Sequence, residues 1–329
     1  MPITTWVQVA PIYVNSGDIN STTVYNNKLY GGTNRGRLLE WNDINAWVQV
    51  AQEPIAPSNI NSLVVFNGKL YGGDTTSGVG GRLLQWNDIN AWVVVAPQLG
   101  AYTIMQNITV YNGKIYGAAT NAVFNSALFE WNGVNAWVQV APELNNQLVN
   151  VLAVHNSKLY GGTMSNLGGV FGGRLYQWND VNAWIEVAPN LAPNLESIRS
   201  LCVYNGKLYG GVAGVLGGTL LEWNGINAWV SVAPPLGAQT IILSLAVYGG
   251  KLYGGTYPSG RLYQWNDINA WVQVAAQLNG QTYASSLVVY KTNLYTGTKS
   301  GGRLFTTDGP LAGYTRLVNY PSNKTLIGR

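Results

Sequence analysis

Residues 40–50 read EWNDINAWVQV. Two tryptophans, Trp41 and Trp47, stand six residues apart around a polar run. The pattern returns as QWNDINAWVVV, EWNGVNAWVQV, QWNDVNAWIEV, EWNGINAWVSV and QWNDINAWVQV. A second motif of the KLYGG type places its tyrosine at Tyr30, Tyr71, Tyr116, Tyr160, Tyr209, Tyr253 and Tyr295, with spacings of 41, 45, 44, 49, 44 and 42 residues. Self-similarity at such a period marks a repeat architecture, here of seven units.

Each unit divides into four short runs bounded by turn residues. In the sixth they are SLAVY (244–248), KLYGGT (251–256), RLYQWN (261–266) and AWVQVA (270–275). β-Formers in partial alternation predict four strands, a to d. The a–b link is often Asn-Gly, as at Asn67–Gly68, Asn112–Gly113 and Asn205–Gly206. That pair suits a tight primed turn, which needs positive φ at both central residues. The c–d link, NDIN or NGVN, reads as a second hairpin. Together these predict an all-β, seven-bladed β-propeller of four-stranded antiparallel blades.

The termini predict how the ring closes. TTWVQVAP (4–11) has the sequence of a strand d with no unit before it. The seventh unit has strands a to c but no tryptophan; Thr307 stands where Trp41 stands in the first. Residues 5–10 are therefore expected to supply strand d of blade 7, with YTRLV (314–318) as the competing strand. The expected propeller spans 1–309, with blades at about 20–58, 61–103, 106–148, 150–196, 199–240, 243–282 and 285–309. Residues 310–329 form a C-terminal extension or the alternative closing strand.

The unit VYNGKLYGGT…RLYQWNDINAWVQVAP resembles the kelch repeat, in which an NGKIY-type hairpin leads to a Gly-Gly pair, an aromatic ends strand c and a tryptophan lies in strand d. On this match Gly254–Gly255 correspond to the kelch glycines, Trp265 to its strand-c tyrosine and Trp271 to its tryptophan. The resemblance covers nearly the whole chain. It departs from kelch in the direct succession of tyrosine and glycines and in its shorter period. Dense repetition of this kind is also similar in style to propellers of bacteriophage tail and spike proteins.

Composition bounds the function. Apolar residues make up 47% and charged residues 10%, against about a quarter charged in ordinary domains. The net charge is +4, and Lys28, Lys69, Lys114, Lys158, Lys207 and Lys251 share one repeated position. Positive charge is thus spread around the molecule, whereas a nucleic-acid footprint needs a basic stripe. Cys202 is the one cysteine, so no internal disulfide is expected. No apolar run approaches the roughly 18 residues of a membrane span. The N-terminus lacks the basic start and apolar centre of a secretory signal. The expected location is a virion or extracellular surface reached without a signal peptide, or alternatively the cytoplasm.

The thirteen tryptophans, Trp6, Trp41, Trp47, Trp86, Trp92, Trp131, Trp137, Trp178, Trp184, Trp223, Trp229, Trp265 and Trp271, read as wedges between thin blades. The alternative is a sugar-stacking platform repeated in every blade. Catalytic chemistry is hard to find. The a strands, such as STTVY, SLVVF and SLCVY, lack charged residues. Their middle positions, Thr23, Val64, Thr109, Ala153, Cys202, Ala246 and Val288, are small, as around a narrow channel. His155 is the sole histidine and fills a slot held elsewhere by Tyr or Phe. One His and one Cys do not make a usual zinc site, and a Ser-His-Asp triad is not expected. Arg37, Arg82, Arg174, Arg261 and Arg303 share one consensus slot and read as scaffold. No catalytic residue, metal or cofactor is expected.

Strand alternation puts the a–b and c–d turns on one face and the b–c and d–a loops on the other. The first set is nearly constant. The second varies, from TNRG (33–36) to TMSNLGGVFGG (163–173), and includes QEPIAPSNIN (52–61) and PNLAPNLESIR (189–199). Loops on a rigid scaffold carry recognition. Candidate ligand-binding residues there are Arg35, Tyr102, Met105, Phe124, Met164, Phe171, Arg199, Tyr257 and Tyr283, of types enriched in recognition patches. The expected function is a non-enzymatic binding or adhesion module for a cell-surface glycan or protein receptor, on a virion or phage tail. Other virion proteins are the expected partners of the C-terminal extension, with no nucleic acid and no membrane insertion. The alternative is an intracellular kelch-type interaction scaffold, and a third reading is a propeller hydrolase or lyase.

Overall fold

The structure, a computed structural model, describes residues 5–13, 17–54, 58–76, 80–165, 172–189, 191, 195–299 and 301–307. Phe171 and the alternative closing strand at 314–318 lie outside the described residues.

The described residues form strands joined by turns and loops, without a helix. The first strand is β1 (Trp6–Ala10). Four-stranded sets follow: β2 (Ile19–Tyr25), β3 (Lys28–Thr33), β4 (Leu38–Trp41) and β5 (Trp47–Ala51); β6 (Ser58–Phe66), β7 (Lys69–Thr76), β8 (Arg82–Trp86) and β9 (Trp92–Ala96); β10 (Ile104–Tyr111), β11 (Lys114–Thr120), β12 (Ser126–Trp131) and β13 (Trp137–Leu144). Next come β14 (Gln147–His155), β15 (Lys158–Ser165), β16 (Leu175–Trp178) and β17 (Trp184–Ala188); β18 (Leu195–Tyr204), β19 (Lys207–Gly214), β20 (Thr219–Trp223) and β21 (Trp229–Ala233); β22 (Ile241–Tyr248), β23 (Lys251–Tyr257), β24 (Leu262–Trp265) and β25 (Trp271–Ala275). The last three are β26 (Ser286–Tyr290), β27 (Asn293–Gly297) and β28 (Leu304–Thr307).

Within each set, consecutive strands pair antiparallel. The set begun by β26 is completed by β1, which pairs with β28 in the register Trp6 to Thr307 and Val7 to Thr306. Trp6 thus sits opposite the residue that replaces tryptophan in the last unit. The first strands of successive sets pack side by side, and β26 packs against β2. Tyr290 carries the contact further, its hydroxyl donating to Asn27 O at 3.0 Å.

Local chemistry explains the hairpins. Asn67 and Gly68 have φ of 46° and 68°, as a primed a–b turn requires. In each c–d turn one asparagine organises the backbone. Asn42 Oδ1 accepts from the amides of Ile44, Asn45 and Ala46 at 2.9–3.0 Å. Asn87, Asn132, Asn179, Asn224 and Asn266 do the same in their turns. The following residue has positive φ, and there the chain carries Asp43, Asp88, Asp180 and Asp267, or Gly133 and Gly225. Asp tolerates this region better than most residues, and Gly freely.

The glycine pairs set the spacing between sets. An added Cβ on the first glycine would crowd the strand-d tryptophan of its own set, as Gly254 would Trp271 at 3.0 Å. On the second it would strike the next set: Gly32 against Ile60 at 2.6 Å, Gly162 against Ile198 at 2.6 Å, Gly297 against Ile19 at 2.5 Å. Where Ala118 replaces that glycine, the facing wedge in the next set is Val149, which is smaller than isoleucine. Strand-c tryptophans fill the same gaps. Trp86 lies edge-on to Tyr25 of the preceding set and 5.2 Å from the ring of Tyr30. Trp131 and Trp223 repeat this on Tyr71 and Tyr160.

Candidate functional site

Six of the seven inner strands begin earlier than their sequence pattern implies, and each of the six carries a β-bulge near its start. The unpaired residue is Asn20 in β2, Asn61 in β6, Gln106 in β10, Asn150 in β14, Arg199 in β18 and Leu243 in β22. All lie five residues before the last residue of their strand; in the β26 set that position is Ser285. A bulge re-aims a side chain out of the ladder. Here the seven side chains converge on one cavity of about 270 Å³, joined by Lys299 from the β27–β28 loop.

The column is polar over most of its circuit. Hydrogen bonds tie its members to the next set: Asn20 Nδ2 donates to Asn61 Oδ1 (3.4 Å), Asn61 Nδ2 to Met105 O (3.0 Å), Asn150 Nδ2 to Ile198 O (3.0 Å), and Ser285 Oγ to Ile19 O (2.8 Å). The cavity floor continues through Thr22, Ser62, Asn107 and Ser286. Asn107 is fixed by the Leu152 amide at 3.1 Å and by donation to Ser62 Oγ at 3.3 Å. Most of the lining is thus carboxamide and hydroxyl groups, several of them held by hydrogen bonds.

Its two charged groups are cationic, and no Asp or Glu lines it among the described residues. Arg199 donates from a terminal nitrogen to Met164 Sδ at 3.6 Å, while its buried Nε has no partner among the described residues. Burial pulls the Arg199 pKa down, opposed by the charge of Glu196; an arginine nonetheless stays protonated. Lys299 Nζ sits 5.4 Å from the ring centre of Tyr283, and Tyr283 stacks on Tyr257 at 4.4 Å with 30° between planes. The lysine therefore links an aromatic ledge to the cavity.

These contacts bring together four of the residues expected from sequence, Met164 with Arg199 and Tyr257 with Tyr283. The others lie apart. Arg35 is exposed in the β3–β4 loop, its amide donating to Thr33 Oγ1. Tyr102 donates to Glu143 Oε1 at 2.7 Å and lies edge-on to Phe129. Phe124 is exposed at a positive-φ turn position. Met105 corrects the expectation of a surface residue. It is fully buried, because it holds the wedge position of Ile19 and Ile60 and fills the space beside Gly73 and Gly117. Sequence reasoning missed Asn20, Asn61, Gln106, Asn150, Leu243, Ser285 and Lys299. Aligning the inner strands on their terminal aromatic and counting back five gives N, N, Q, N, R, L, S, a largely polar column at the start of apolar strands.

Solved structures share the fold. Virginiamycin B lyase from Staphylococcus aureus, in a catalytically inactive form with quinupristin, matches at a TM-score of 0.75 and 8% identity, over 92% of this chain and 99% of that one. The WD40 beta propeller domain of Doa1 matches at 0.64 and 11%, over 93% and 98%. The computationally designed Ika8 protein matches at 0.58 and 11%, over 91% and 99%.

The fold is a β-propeller.

At such identities the likeness is one of fold. No protein-family model matches the chain, and no curated protein matches it.

Other reactive groups of the propeller are engaged in packing. His155 is buried beside Tyr160 and Trp223, its Nε2 3.1 Å from Asn156 Nδ2, and burial lowers its pKa. Burial pushes the Cys202 thiol up to about 11, far from thiolate character at neutral pH. Arg82 and Asp74 form a buried ion pair, and Arg174 pairs with Glu186 at 2.8 Å. No group of three or more His, Cys, Asp or Glu that could hold a metal occurs among the described residues.

Of the tryptophans, Trp6, Trp41, Trp47, Trp86, Trp92, Trp131, Trp178, Trp184, Trp223 and Trp265 are buried; Trp137, Trp229 and Trp271 are half-buried. None lines the cavity.

Proposed function

We propose that the chain is a seven-bladed propeller, its ring closed by β1 on β28 and by the packing of β26 on β2, and that it is a non-catalytic binding module. Its ligand is a glycan that enters the axial cavity on the face of the b–c and d–a loops. The observation that carries this reading is the bulge column. Six blades each turn one polar side chain toward the axis and one turns Leu243, and their identities differ while the rest of the blade repeats. A repeated structural position filled by different residues is how a symmetric scaffold acquires an asymmetric site.

The chemistry suits a sugar. Carboxamides and hydroxyls match hydroxyl groups as both donors and acceptors. The Tyr257–Tyr283 ledge offers an aromatic surface beside them. A cavity of about 270 Å³ lies near the lower end of small-ligand sites, roughly 300–1,000 Å³, and fits one sugar unit. The kelch-like reading gains support from the glycine pair, whose members pack where a Cβ would not fit. A non-catalytic role draws on the engagement of His155, Cys202 and the paired arginines in packing.

A glycan array tests this reading. The protein should retain a defined set of glycans, and Gln106→Ala with Asn20→Ala should abolish retention. Ile44→Ser with Ile89→Ser, on the opposite face, should leave it unchanged. Loss of binding from the second pair alone would move the site to the symmetric face. That outcome would favour a protein-interaction scaffold, for which exposed Ile44, Ile89, Val134, Val181, Ile226 and Ile268 supply apolar turn tips.

A further inference from the structure

Arg199 is out of keeping with its surroundings. A guanidinium presents five donors in a planar fork and is always charged. Partly buried arginines normally meet a carboxylate, as Arg82 meets Asp74 and Arg174 meets Glu186 in this chain. Arg261 departs from this, its Nη1 donating to Gln273 Oε1 at 3.2 Å while its buried Nε finds no acceptor among the described residues. Arg199 too has no carboxylate partner among the described residues, and unlike Arg261 it lines the cavity. Among the described residues it makes one hydrogen bond, to a thioether sulfur, which is a weak acceptor, and its buried Nε makes none. Glu196, on the same strand, opposes through its charge the lowering of the Arg199 pKa by burial, and no ion pair joins the two among the described residues.

Its position is equally specific. A bulge between Ile198 and Ser200 takes Arg199 out of the ladder, and it stands in the axial column where the first four blades place Asn20, Asn61, Gln106 and Asn150. The second cation, Lys299, reaches the same cavity from the last blade. Two cations share a cavity rimmed by amide donors, with no carboxylate among its described lining residues; Glu196 and Asp18 lie near enough to act on Arg199 and Tyr283 through their charge. Such a site disfavours a neutral occupant only weakly but rewards an anionic one, because charge-assisted hydrogen bonds are roughly twice as strong as neutral ones. Leu243, next in the column after Arg199, supplies an apolar wall on that side.

We propose that the axial cavity is an anion subsite in which Arg199, helped by Lys299, seats a carboxylate or sulfate group of an acidic sugar, while the carboxamides of the first four blades bind the neutral part of the ring. The inference rests on the glycan reading above and names its ligand class. The shared chemistry is the anion, and a free inorganic oxyanion would be seated by the same fork.

The test uses the full chain and three proteins: wild type, Arg199→Gln and Arg199→Lys. Thermal melting first establishes that all three fold. Each is then applied to an array of uronic-acid, sialic-acid and sulfated glycans alongside their neutral parents, and titrated calorimetrically with inorganic phosphate at fixed ionic strength. The expected result is retention of acidic glycans over neutral parents. Affinity should fall about ten- to a hundredfold in Arg199→Gln, the range for losing a charged hydrogen bond, and fall less in Arg199→Lys, which keeps the charge without the fork. Retention of neutral glycans only, with Arg199→Gln unimpaired, overturns the anion subsite and leaves the glycan reading standing. Phosphate binding that depends on Arg199 with no glycan retained keeps the anion site and overturns the glycan reading. Phosphate and acidic glycans bound equally by wild type and Arg199→Gln overturn the inference outright.

Discussion

The hydroxyl of Tyr290 donates to Asp43 Oδ1 at 2.8 Å, joining the last blade to the first across 247 residues of sequence. The same bond joins three other pairs of neighbouring blades: Tyr25 to Asp88, Tyr111 to Asp180, Tyr204 to Asp267. Where the next blade carries Gly133 or Gly225 instead of aspartate, the tyrosine is replaced by Phe66 or His155. The two positions vary together within one chain, as partners in a contact should. Tyr290→Phe is expected to cost about 1–2 kcal/mol, near the low end for a hydrogen bond to a charged group because Asp43 is partly exposed. Phe66→Tyr, facing Gly133, should give no comparable gain. Equilibrium unfolding of the three proteins checks both.

These contacts also set an acid limit. Burial pushes the Asp88, Asp180 and Asp267 carboxyls up, but their hydrogen bonds from lysine and tyrosine and the lysine charge outweigh it, leaving each below the usual 3.8. A depressed folded pKa contributes stability above the unfolded value and loses it as pH falls through the folded one. Melting temperature should therefore be level above about pH 5 from this source and fall below about pH 4. The triple variant Tyr25→Phe, Tyr111→Phe, Tyr204→Phe should show a shallower fall over that range. An unchanged slope would mean that other carboxylates dominate.

Gly297 and Ile19 provide a packing test at the same seam. A Cβ at Gly297 would lie 2.5 Å from Ile19 Cγ2, so Gly297→Ala should destabilise by about 1–3 kcal/mol through overpacking. Adding Ile19→Ala should recover part of the loss, a coupling that a double-mutant cycle reads directly. Additive effects would show that the two residues do not meet in solution.

Trp131 separates scaffold from site. It is buried against Phe66 and Tyr71 of the neighbouring blade, so Trp131→Ala should cost about 3–5 kcal/mol. Any glycan binding should survive at temperatures where the variant stays folded. Abolished binding with stability intact would restore the repeated sugar-platform reading.

Much of the architecture is legible because period-two strands and fixed turn chemistry leave local marks. Asn67–Gly68 announces a primed turn, and the unpaired TTWVQVAP announces a strand in need of a partner; β1 indeed pairs with β28. The site is less legible for a physical reason. A β-bulge breaks the alternation by which strands are recognised, so Asn61, Gln106 and Arg199 read as the ends of loops although they lie inside β6, β10 and β18. Met105 misleads in the same way, since only the bulge register shows that it faces inward. Lys299 and the Tyr257–Tyr283 stack depend on loops from different blades meeting, which no local pattern records.

The most direct test of the central claim, that ligand is held at the axial bulge column, is hydrogen–deuterium exchange of the full chain with and without the glycan it retains most strongly. The account predicts added protection at the bulges, residues 19–21, 60–62, 105–107, 149–151 and 198–200, with the c–d turns unchanged. Protection confined to turns such as 42–46 and 87–91 would place the ligand on the opposite face and contradict it.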